Sequence, residues 1–226
     1  MSTTRKEPRE AAVLLCYITN RSQFPGNPND RDRLLLAKIA ECVRAGVDWV
    51  QLREKDLSAR ELEELACKAV AAIGSGSRTS LLINSRIDVA LAAGAHGVHL
   101  PARDLSPSDA RVIWDRAGKT GAVIGVSAHT VDEVSQAEAH GADFAVFAPV
   151  FEKSGVANPV GMEQLWQACH RPHPAGAVMP VLALGGVTLS NAQRCLDAGA
   201  AGIAGIRLFQ ENDVESTVQG LRSMRV

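Results

Sequence analysis

The chain contains 226 residues, which suits one large domain or two small ones. Its 24 basic and 25 acidic residues nearly cancel, so no net positive field attracts nucleic acid or an anionic membrane surface. Aromatic residues make up only 4% of the chain, which also argues against a surface on which bases stack. We therefore expect neither nucleic acid nor a membrane among its partners.

The five cysteines lie singly along the chain, without a C-x-x-C motif or a Cys/His pair at zinc spacing. An odd number of cysteines without a disulfide framework fits the reducing cytoplasm. No apolar run reaches membrane-spanning length, and residues 1–10 have the composition of a disordered polar tail. These features predict a cytoplasmic protein whose folded domain spans residues 11–226.

A unit recurs along the chain: a helix that ends in Ala-Gly, or a close variant, is followed by a short apolar strand. Glycine after a helix supplies the left-handed cap, and the apolar run is typical of a strand buried on both faces. The predicted strands start near Leu14, Val47, Leu81, Gly97, Val123, Asp143, Pro180 and Gly202. Such strict alternation predicts an α/β fold, a single-domain (β/α)8 TIM barrel. A doubly wound open sheet is the alternative, although no G-x-G-x-x-G motif follows the first strand.

Between the strands, apolar residues at helical spacing predict helices over 32–44 and 62–73. The pairs Ser58/Glu61 and Thr130/Glu133 have the spacing of capping boxes, which open helices. Ser106-Pro107 is typical of an N-cap followed by proline in the first helical position. In barrels of this kind the chemistry lies at the carboxyl ends of the strands, so the residues found there are the candidates for a site.

The second strand ends in Q-L-R-E-K, which places Gln51, Arg53 and Lys55 at every other position. Because side chains alternate across a strand, these three are expected to share one face with Trp49. Cations at the end of a buried strand are costly unless an anion pairs with them, which favours a phosphate or carboxylate site. The alternative is a strand that runs into a loop whose charges point to water.

The ends of strands 7 and 8 carry glycines that resemble the phosphate grip of many barrels. Gly185 and Gly186 follow strand 7, and Gly205 with Ile206 follows strand 8, so bare amides can approach an anion there. Arg207 adds a charge to this grip or points outward into a salt bridge. The alternative reading of the Gly-Gly pair is a tight turn without a ligand.

Other strand ends supply polar groups. Strand 3 contributes Asn84, strand 5 contributes Ser127 and, just beyond it, His129, and the loop after strand 4 contributes Asp104. A neutral imidazole near pH 7 can both accept and donate a proton, so His129 is a candidate acid/base, unless it only caps the next helix. His99 lies inside an apolar run and is expected to be a satisfied core histidine.

Together these strand ends resemble the thiamine phosphate synthase/TenI family. The matching segments are Y-I-T-N (17–20), Q-L-R-E-K (51–55), L-I-N-S-R-I-D-V-A-L-A-A-G-A-H-G-V-H-L (82–100), G-V-S-A-H-T (125–130), G-A-D-F (141–144) and L-A-L-G-G-V-T (182–188). The resemblance covers nearly the whole chain, and its motifs are jointly specific for the family but not for one branch of it.

The resemblance implies one of two activities. The synthase branch joins a pyrimidine pyrophosphate to a thiazole phosphate and releases pyrophosphate, with Mg2+ as cofactor. The TenI branch shifts a proton in a carboxylated thiazole phosphate and uses no metal. Both branches bind the phosphorylated thiazole at the loops after strands 7 and 8, so the implied partner is a small phosphorylated thiazole.

Carried over position by position, Gln51, Arg53, Lys55 and Asn84 match the pyrophosphate-binding residues of the synthase branch, and Asp104 matches one magnesium ligand. His129 matches the acid/base proposed for the tautomerase branch, although synthases often carry it too, and Lys55 is a second candidate for proton transfer.

Several positions depart from the synthase pattern. The second magnesium ligand should be an aspartate after Asn84, where this chain has Ser85. The pair Pro101-Ala102 replaces G-Q, and residues 153–156, K-S-G-V, replace the T-x-T-K of the loop after strand 6. Arg207 stands where the family usually has serine. Magnesium is usually held by one or two carboxylates, so the loss of one weakens such a site without abolishing it.

These departures concern pyrophosphate and metal, whereas the phosphate grip and His129 are retained. The preferred hypothesis is therefore a TenI-like thiazole tautomerase without a cofactor. In it Gly186 and Gly205 hold the phosphate, Arg53 or Lys55 faces the carboxylate and His129 moves the proton. The alternatives are a divergent, Mg2+-dependent thiamine phosphate synthase and a non-catalytic binder of thiazole phosphate. The apolar edges of the predicted barrel also favour a homo-oligomer.

Overall fold

The computed structural model describes residues 12–151, 161–172 and 178–225. Parallel strands close into a barrel in the chain order β1 to β8, with β8 paired to β1. The strands are β1 Leu14–Ile18, β2 Trp49–Leu52, β3 Ser80–Asn84, β4 Gly97–Leu100, β5 Val123–Ala128, β6 Phe144–Phe147, β7 Val181–Ala183 and β8 Gly202–Gly205. The predicted (β/α)8 barrel is confirmed, and the open sheet is excluded because its first and last strands would not pair.

Helices connect the strands on the outside of the barrel. They are α1 Pro28–Ala45, α2 Ala59–Ile73, α3 Ile87–Ala93, α4 Pro107–Arg116, α5 Val131–Ala139, α6 Gly161–Cys169, α7 Ala192–Asp197, α8 Arg207–Gln210 and α9 Val214–Arg222. Within the described ranges no helix is both long and apolar enough to cross a membrane. The tail predicted for residues 1–10 and the altered loop at 152–160 lie outside the described residues.

The helix starts follow from their caps. Helix α1 begins four residues before the apolar pattern predicts, because the Asn27 side chain accepts from the Asp30 amide and Pro28 occupies the first helical position. At α2 the predicted capping box is complete, since Ser58 and Glu61 each accept from the other's backbone amide. Both caps lie just after the loops that follow β1 and β2, and so define where those loops end.

Two further helix starts were also predicted. Ser106 caps α4 in front of Pro107, as expected. At α5 Thr130 accepts from the Glu133 amide, but the Glu133 carboxylate accepts from the His129 backbone N–H at 2.6 Å. The reciprocal half of the predicted capping box is therefore wrong, and that carboxylate instead holds the backbone of the candidate histidine.

The barrel interior is a small separate core inside the sheet. Its buried members are Cys16, Ile18, Leu82, Phe144, Val146, Leu182 and Ala204. The alternate residues of each strand face outward, where they pack with the helices into the larger core. Every strand starts within two residues of its predicted position, with the largest difference at β2, which begins at Trp49 rather than Val47. The strand positions therefore indicate which side chains point into the barrel near the carboxyl ends of the strands.

Candidate active site

Two buried polar pairs lie in the barrel interior, just below the carboxyl ends of the strands. The Gln51 Nε2 group donates to Asn84 Oδ1 at 2.9 Å across β2 and β3. His99 Nε2 lies 2.9 Å from the Ser127 Oγ across β4 and β5. Three of these residues, Gln51, Asn84 and Ser127, were predicted as site residues, and the barrel brings them together as expected from their strand positions.

Each pair leaves one buried atom without a partner among the described residues, Gln51 Oε1 and His99 Nδ1. Burial, followed by the nearby charge of Arg53, lowers the pKa of His99 to about 3, so its imidazole is neutral at physiological pH. His99 was expected to be a satisfied core histidine. It is buried, but only one of its nitrogens is hydrogen-bonded. A buried polar atom without a partner is a point where a ligand group or a water molecule can bind.

Aromatic rings pack beside these polar pairs inside the barrel. The rings of Trp49 and Phe144 stack at a centroid distance of 4.1 Å, and His99 lies 5.9 Å from Phe144. Gly125 makes room for them, because a Cβ there would lie 2.4 Å from Phe144 Cζ and 2.7 Å from His99 Nδ1. The strand alternation predicts the inward orientation of Trp49. Its partner Phe144 was not singled out, although the same alternation along β6 points it inward.

Arg53 and Lys55 lie beyond the end of β2 at Leu52. Strand alternation therefore does not fix where they point, and their shared face with Trp49 stays a prediction. The charge of Arg53 lies near enough to the buried His99 to lower its pKa. Both still lie at the carboxyl end of the barrel, Arg53 half-buried and Lys55 exposed. Among the described residues neither cation has a carboxylate within ion-pair distance. Two unpaired cations on one loop are available for an external anion.

A groove of about 160 Å3 lies between the ends of β2 and β3 and is lined by Lys55, Asn84 and Ser85, among others. Ser85 adopts a left-handed backbone with φ of 64°. Its hydroxyl donates to the exposed carboxylate of Asp104, which also accepts from the Leu105 amide at 2.8 Å. The candidate metal ligand Asp104 thus lies directly beside the position where an aspartate is missing. The described residues contain no cluster of three His, Cys, Asp or Glu side chains that could hold a metal by itself.

A larger cavity of about 620 Å3 opens between the ends of β7 and β8. Its lining includes all five residues of the predicted phosphate grip, namely Gly185, Gly186, Gly205, Ile206 and Arg207. Gly185 and Gly186 have φ of 98° and 66°, which L-residues rarely adopt. The Gly186 and Val187 amides donate to no acceptor among the described residues. Arg207 is exposed at the cavity and begins the short helix α8.

His129 lies just after β5, with its ring exposed. Its Nδ1 lies 2.7 Å from the carbonyl oxygen of Ala148. A carbonyl only accepts, so Nδ1 carries the proton and Nε2 of the neutral ring is left as an acceptor. Ala148 precedes Pro149, whose Cα is 2.7 Å from the position that a Cβ on Gly185 would occupy. The segment at 148–149 therefore links the histidine to the glycine cavity.

Fold and site define a barrel with one basic groove and one glycine-lined cavity at the carboxyl ends of its strands. A family model described as thiamine monophosphate synthase matches residues 15–209. The chain belongs to the thiamine monophosphate synthase family. The predicted family resemblance is thereby confirmed.

Relatives of similar length support the assignment. The chain is 38% identical over 199 residues to "Putative thiamine-phosphate synthase 2" of Aquifex aeolicus, covering 87% of this chain and 97% of that protein. It is 42% identical over 193 residues to "Putative thiamine-phosphate synthase" of Geobacter sulfurreducens, covering 84% and 83%. Among solved structures, thiamine phosphate pyrophosphorylase from Pyrococcus furiosus superposes with a TM-score of 0.74 at 27% identity, covering 93% of this chain and 94% of that one.

Proposed function

We propose that this protein is a thiamine-phosphate synthase, which joins a pyrimidine pyrophosphate to a thiazole phosphate and releases pyrophosphate. The observation that carries the proposal is the presence of two distinct candidate anion sites at the same end of the barrel. One is the loop with Arg53 and Lys55 beside the groove at β2 and β3, and the other is the cavity with Gly185 and Gly186 at β7 and β8. Two phosphorylated substrates require two such sites. The tautomerase substrate also carries two anionic groups, but two cations without ion-pair partners among the described residues on one loop suit a pyrophosphate better than a single carboxylate.

The two cations can stabilise the pyrophosphate leaving group. When the carbon–oxygen bond of the pyrimidine pyrophosphate breaks, the electron pair leaves with pyrophosphate, and negative charge grows on the bridging oxygen. Arg53 and Lys55, which lack ion-pair partners among the described residues, are placed to stabilise that charge. The Gln51–Asn84 pair extends the same side of the site into the barrel, where Asn84 also lines the groove.

The other substrate is held by backbone rather than by charge. Gly185 and Gly186 line the larger cavity, and the free Gly186 amide can donate to a phosphate oxygen that a side chain at these positions would obstruct. Trp49 is partly exposed and stacks on the fully buried ring of Phe144, which holds it in place. The exposed part of an indole ring held in this way suits contact with a flat nitrogen heterocycle.

Magnesium fits the donors that are present. Asp104 and Ser85 are adjacent and offer only oxygen atoms, which are the ligands that Mg2+ prefers, and one carboxylate is enough when substrate phosphates complete the shell. These two residues would hold the ion. When bound, it would neutralise charge on the pyrophosphate.

The names of the relatives also support the synthase, which is the alternative that the sequence analysis ranked second. The tautomerase stays a second candidate because of one observation. His129 donates its Nδ1 proton to the Ala148 carbonyl, and its Nε2 has no hydrogen-bond partner within the described part of the chain. That geometry suits a proton shift on a ligand in the neighbouring glycine cavity.

A paired turnover assay on the purified protein tests the proposal. One arm contains pyrimidine pyrophosphate, thiazole phosphate and Mg2+, and the other contains the carboxythiazole phosphate tautomer with EDTA. We expect thiamine phosphate in the first arm. Conversion only in the second arm would contradict the synthase proposal and establish the tautomerase. In that case His129→Asn should abolish conversion, whereas a synthase should retain most of its turnover in the same variant. If neither arm forms product but the protein still binds thiazole phosphate, the protein is a non-catalytic binder.

A further inference from the structure

The loop that carries Arg53 and Lys55 is tied down by a buried polar network that the proposed chemistry does not use. Glu54, between the two cations, is only 6% exposed, and Thr19 after β1 is fully buried. The Thr19 hydroxyl donates to Glu54 Oε1, and the hydroxyl oxygen of Thr19 accepts from the Arg53 backbone N–H at 2.9 Å. One hydroxyl on the neighbouring strand therefore fixes both residues that follow β2.

Arg21 fixes the far side of the loop. Its backbone N–H donates to Glu54 Oε2 at 2.8 Å, and its Nη2 forms an ion pair with Asp56 at 2.8 Å. Its Nη1 reaches Asp32 on α1 at 3.1 Å, so the guanidinium also anchors the loop to the helix layer. Lys55 is thus flanked on both sides by residues that Arg21 holds. Such anchoring is what a site needs when two flexible cations must meet an anion in one geometry.

We infer that Thr19, Glu54 and Arg21 are positioning residues that hold the loop at 53–56 so that Arg53 and Lys55 converge on the pyrophosphate group. The inference rests on the proposed function for the identity of the anion. It explains why a carboxylate is buried between two cations that it does not pair with: the acid holds the backbone, and the cations stay free. In this chain the loop that carries the cations is held by residues that follow β1, beyond the point where β2 ends.

A purely stabilising role is the competing explanation, and the chain contains a matched control. Glu138 on α5 also accepts from a backbone amide, that of Met179 at 2.9 Å, and pairs with the buried Arg171 at 2.9 Å. Glu138→Gln therefore removes a comparable buried carboxylate from a position between α5, α6 and β7. A loss of stability without a change in anion binding is expected for this variant.

The test measures binding of inorganic pyrophosphate with Mg2+ by titration calorimetry, which needs no turnover. Thr19→Val keeps the side-chain shape and removes the hydroxyl, whereas Thr19→Ser keeps the hydroxyl and removes the methyl. We expect Thr19→Val and Glu54→Gln to weaken pyrophosphate binding about tenfold, because a misplaced pair of charge-assisted contacts is worth at least that factor. Thr19→Ser should stay within about twofold of the wild type.

Equal pyrophosphate affinity of the wild type and of folded Thr19→Val and Glu54→Gln overturns the inference. An equally large loss of pyrophosphate affinity in Thr19→Ser also overturns it, since the hydroxyl would then not be the group that matters. The same loss in Glu138→Gln overturns it too, since the position of the buried carboxylate would then not matter. If Thr19→Val does not fold, Asp56→Asn replaces it, because Asp56 is exposed and its loss should weaken binding by loosening the same loop. The two proposals fail differently: a wild type that binds pyrophosphate but forms no thiamine phosphate refutes only the synthase.

Discussion

Substitution of Gly185 by alanine separates backbone strain from phosphate binding. Gly185 has φ of 98°, and a Cβ there would lie 2.7 Å from both Cα and Cβ of Pro149. The left-handed conformation costs an alanine about 1–2 kcal/mol. The contact with Pro149 adds about 1–3 kcal/mol, because backbone must move to relieve it. We therefore expect Gly185→Ala to lose about 4 kcal/mol of stability, which lowers Tm by about 10 °C in a domain of this size.

Gly94 provides the control for strain alone. It follows α3 with φ of 70°, and a Cβ there would meet no atom within 4 Å. Gly94→Ala should lose only about 1–2 kcal/mol and lower Tm by about 4 °C. Thermal unfolding and the KM for thiazole phosphate are measured for both variants. Of the two variants only Gly185→Ala should raise that KM, since Gly185 lines the cavity and Gly94 does not. Equal Tm values would refute the steric argument, and an unchanged KM in folded Gly185→Ala would refute the phosphate site.

Three further predictions concern charge. The pKa of His99 is lowered to about 3 by burial and by Arg53, so below its usual value of 6.5 the unfolded chain binds a proton that the native state rejects. The free energy of unfolding of the wild type, measured with urea, should therefore fall as pH drops from 6.5 towards 3. His99→Gln should make this free energy less dependent on pH, and an unchanged pH dependence would contradict the prediction. Ser85→Asp should raise Tm more with Mg2+ than without it, because two carboxylates then face each other at Asp104, and the left-handed backbone tolerates aspartate; an equal Tm shift would argue against a metal there. Lys55→Gln should raise the KM for pyrimidine pyrophosphate and make that KM less dependent on salt concentration. Steady-state kinetics at two ionic strengths measure both effects, and an unchanged KM would contradict the prediction.

The barrel could be predicted because its signals are local and repeated. Each repeat of the pattern consists of a helix, a glycine cap and an apolar run, and the apolar run predicts a strand. The observed strand starts differ from the predicted ones by at most two residues, as at Trp49. The same logic located Asn84, Ser127 and the glycines, since each follows directly from its place on a strand.

The sequence is less informative where a side chain's position depends on a neighbouring strand. Strand alternation gives no direction for Arg53 and Lys55, because β2 ends at Leu52. Glu54 was passed over because a glutamate between two cations in a loop is usually solvated. Only the register that pairs Ile18 with Gln51 brings Thr19 close enough to bury that carboxylate. No pattern within residues 51–55 reveals a partner that lies 35 positions earlier.

This dependence on a neighbouring strand bears on how the family branch should be read from sequence. A substitution at one strand-end position, such as Arg53 or Ser85, adds or removes a single contact and so changes the affinity of a site only in part. Two separate anion sites need suitable residues at two pairs of strands, and this chain has a candidate cavity at each, at β2–β3 and at β7–β8. A tautomerase would gain nothing from the buried carboxylate of Glu54, since a single carboxylate ligand can be met by one mobile cation. A pyrophosphate leaving group needs two cations in fixed positions, because negative charge develops on it as the bond breaks. The network around Glu54 therefore weighs towards the synthase more than the loss of one carboxylate at Ser85 weighs against it.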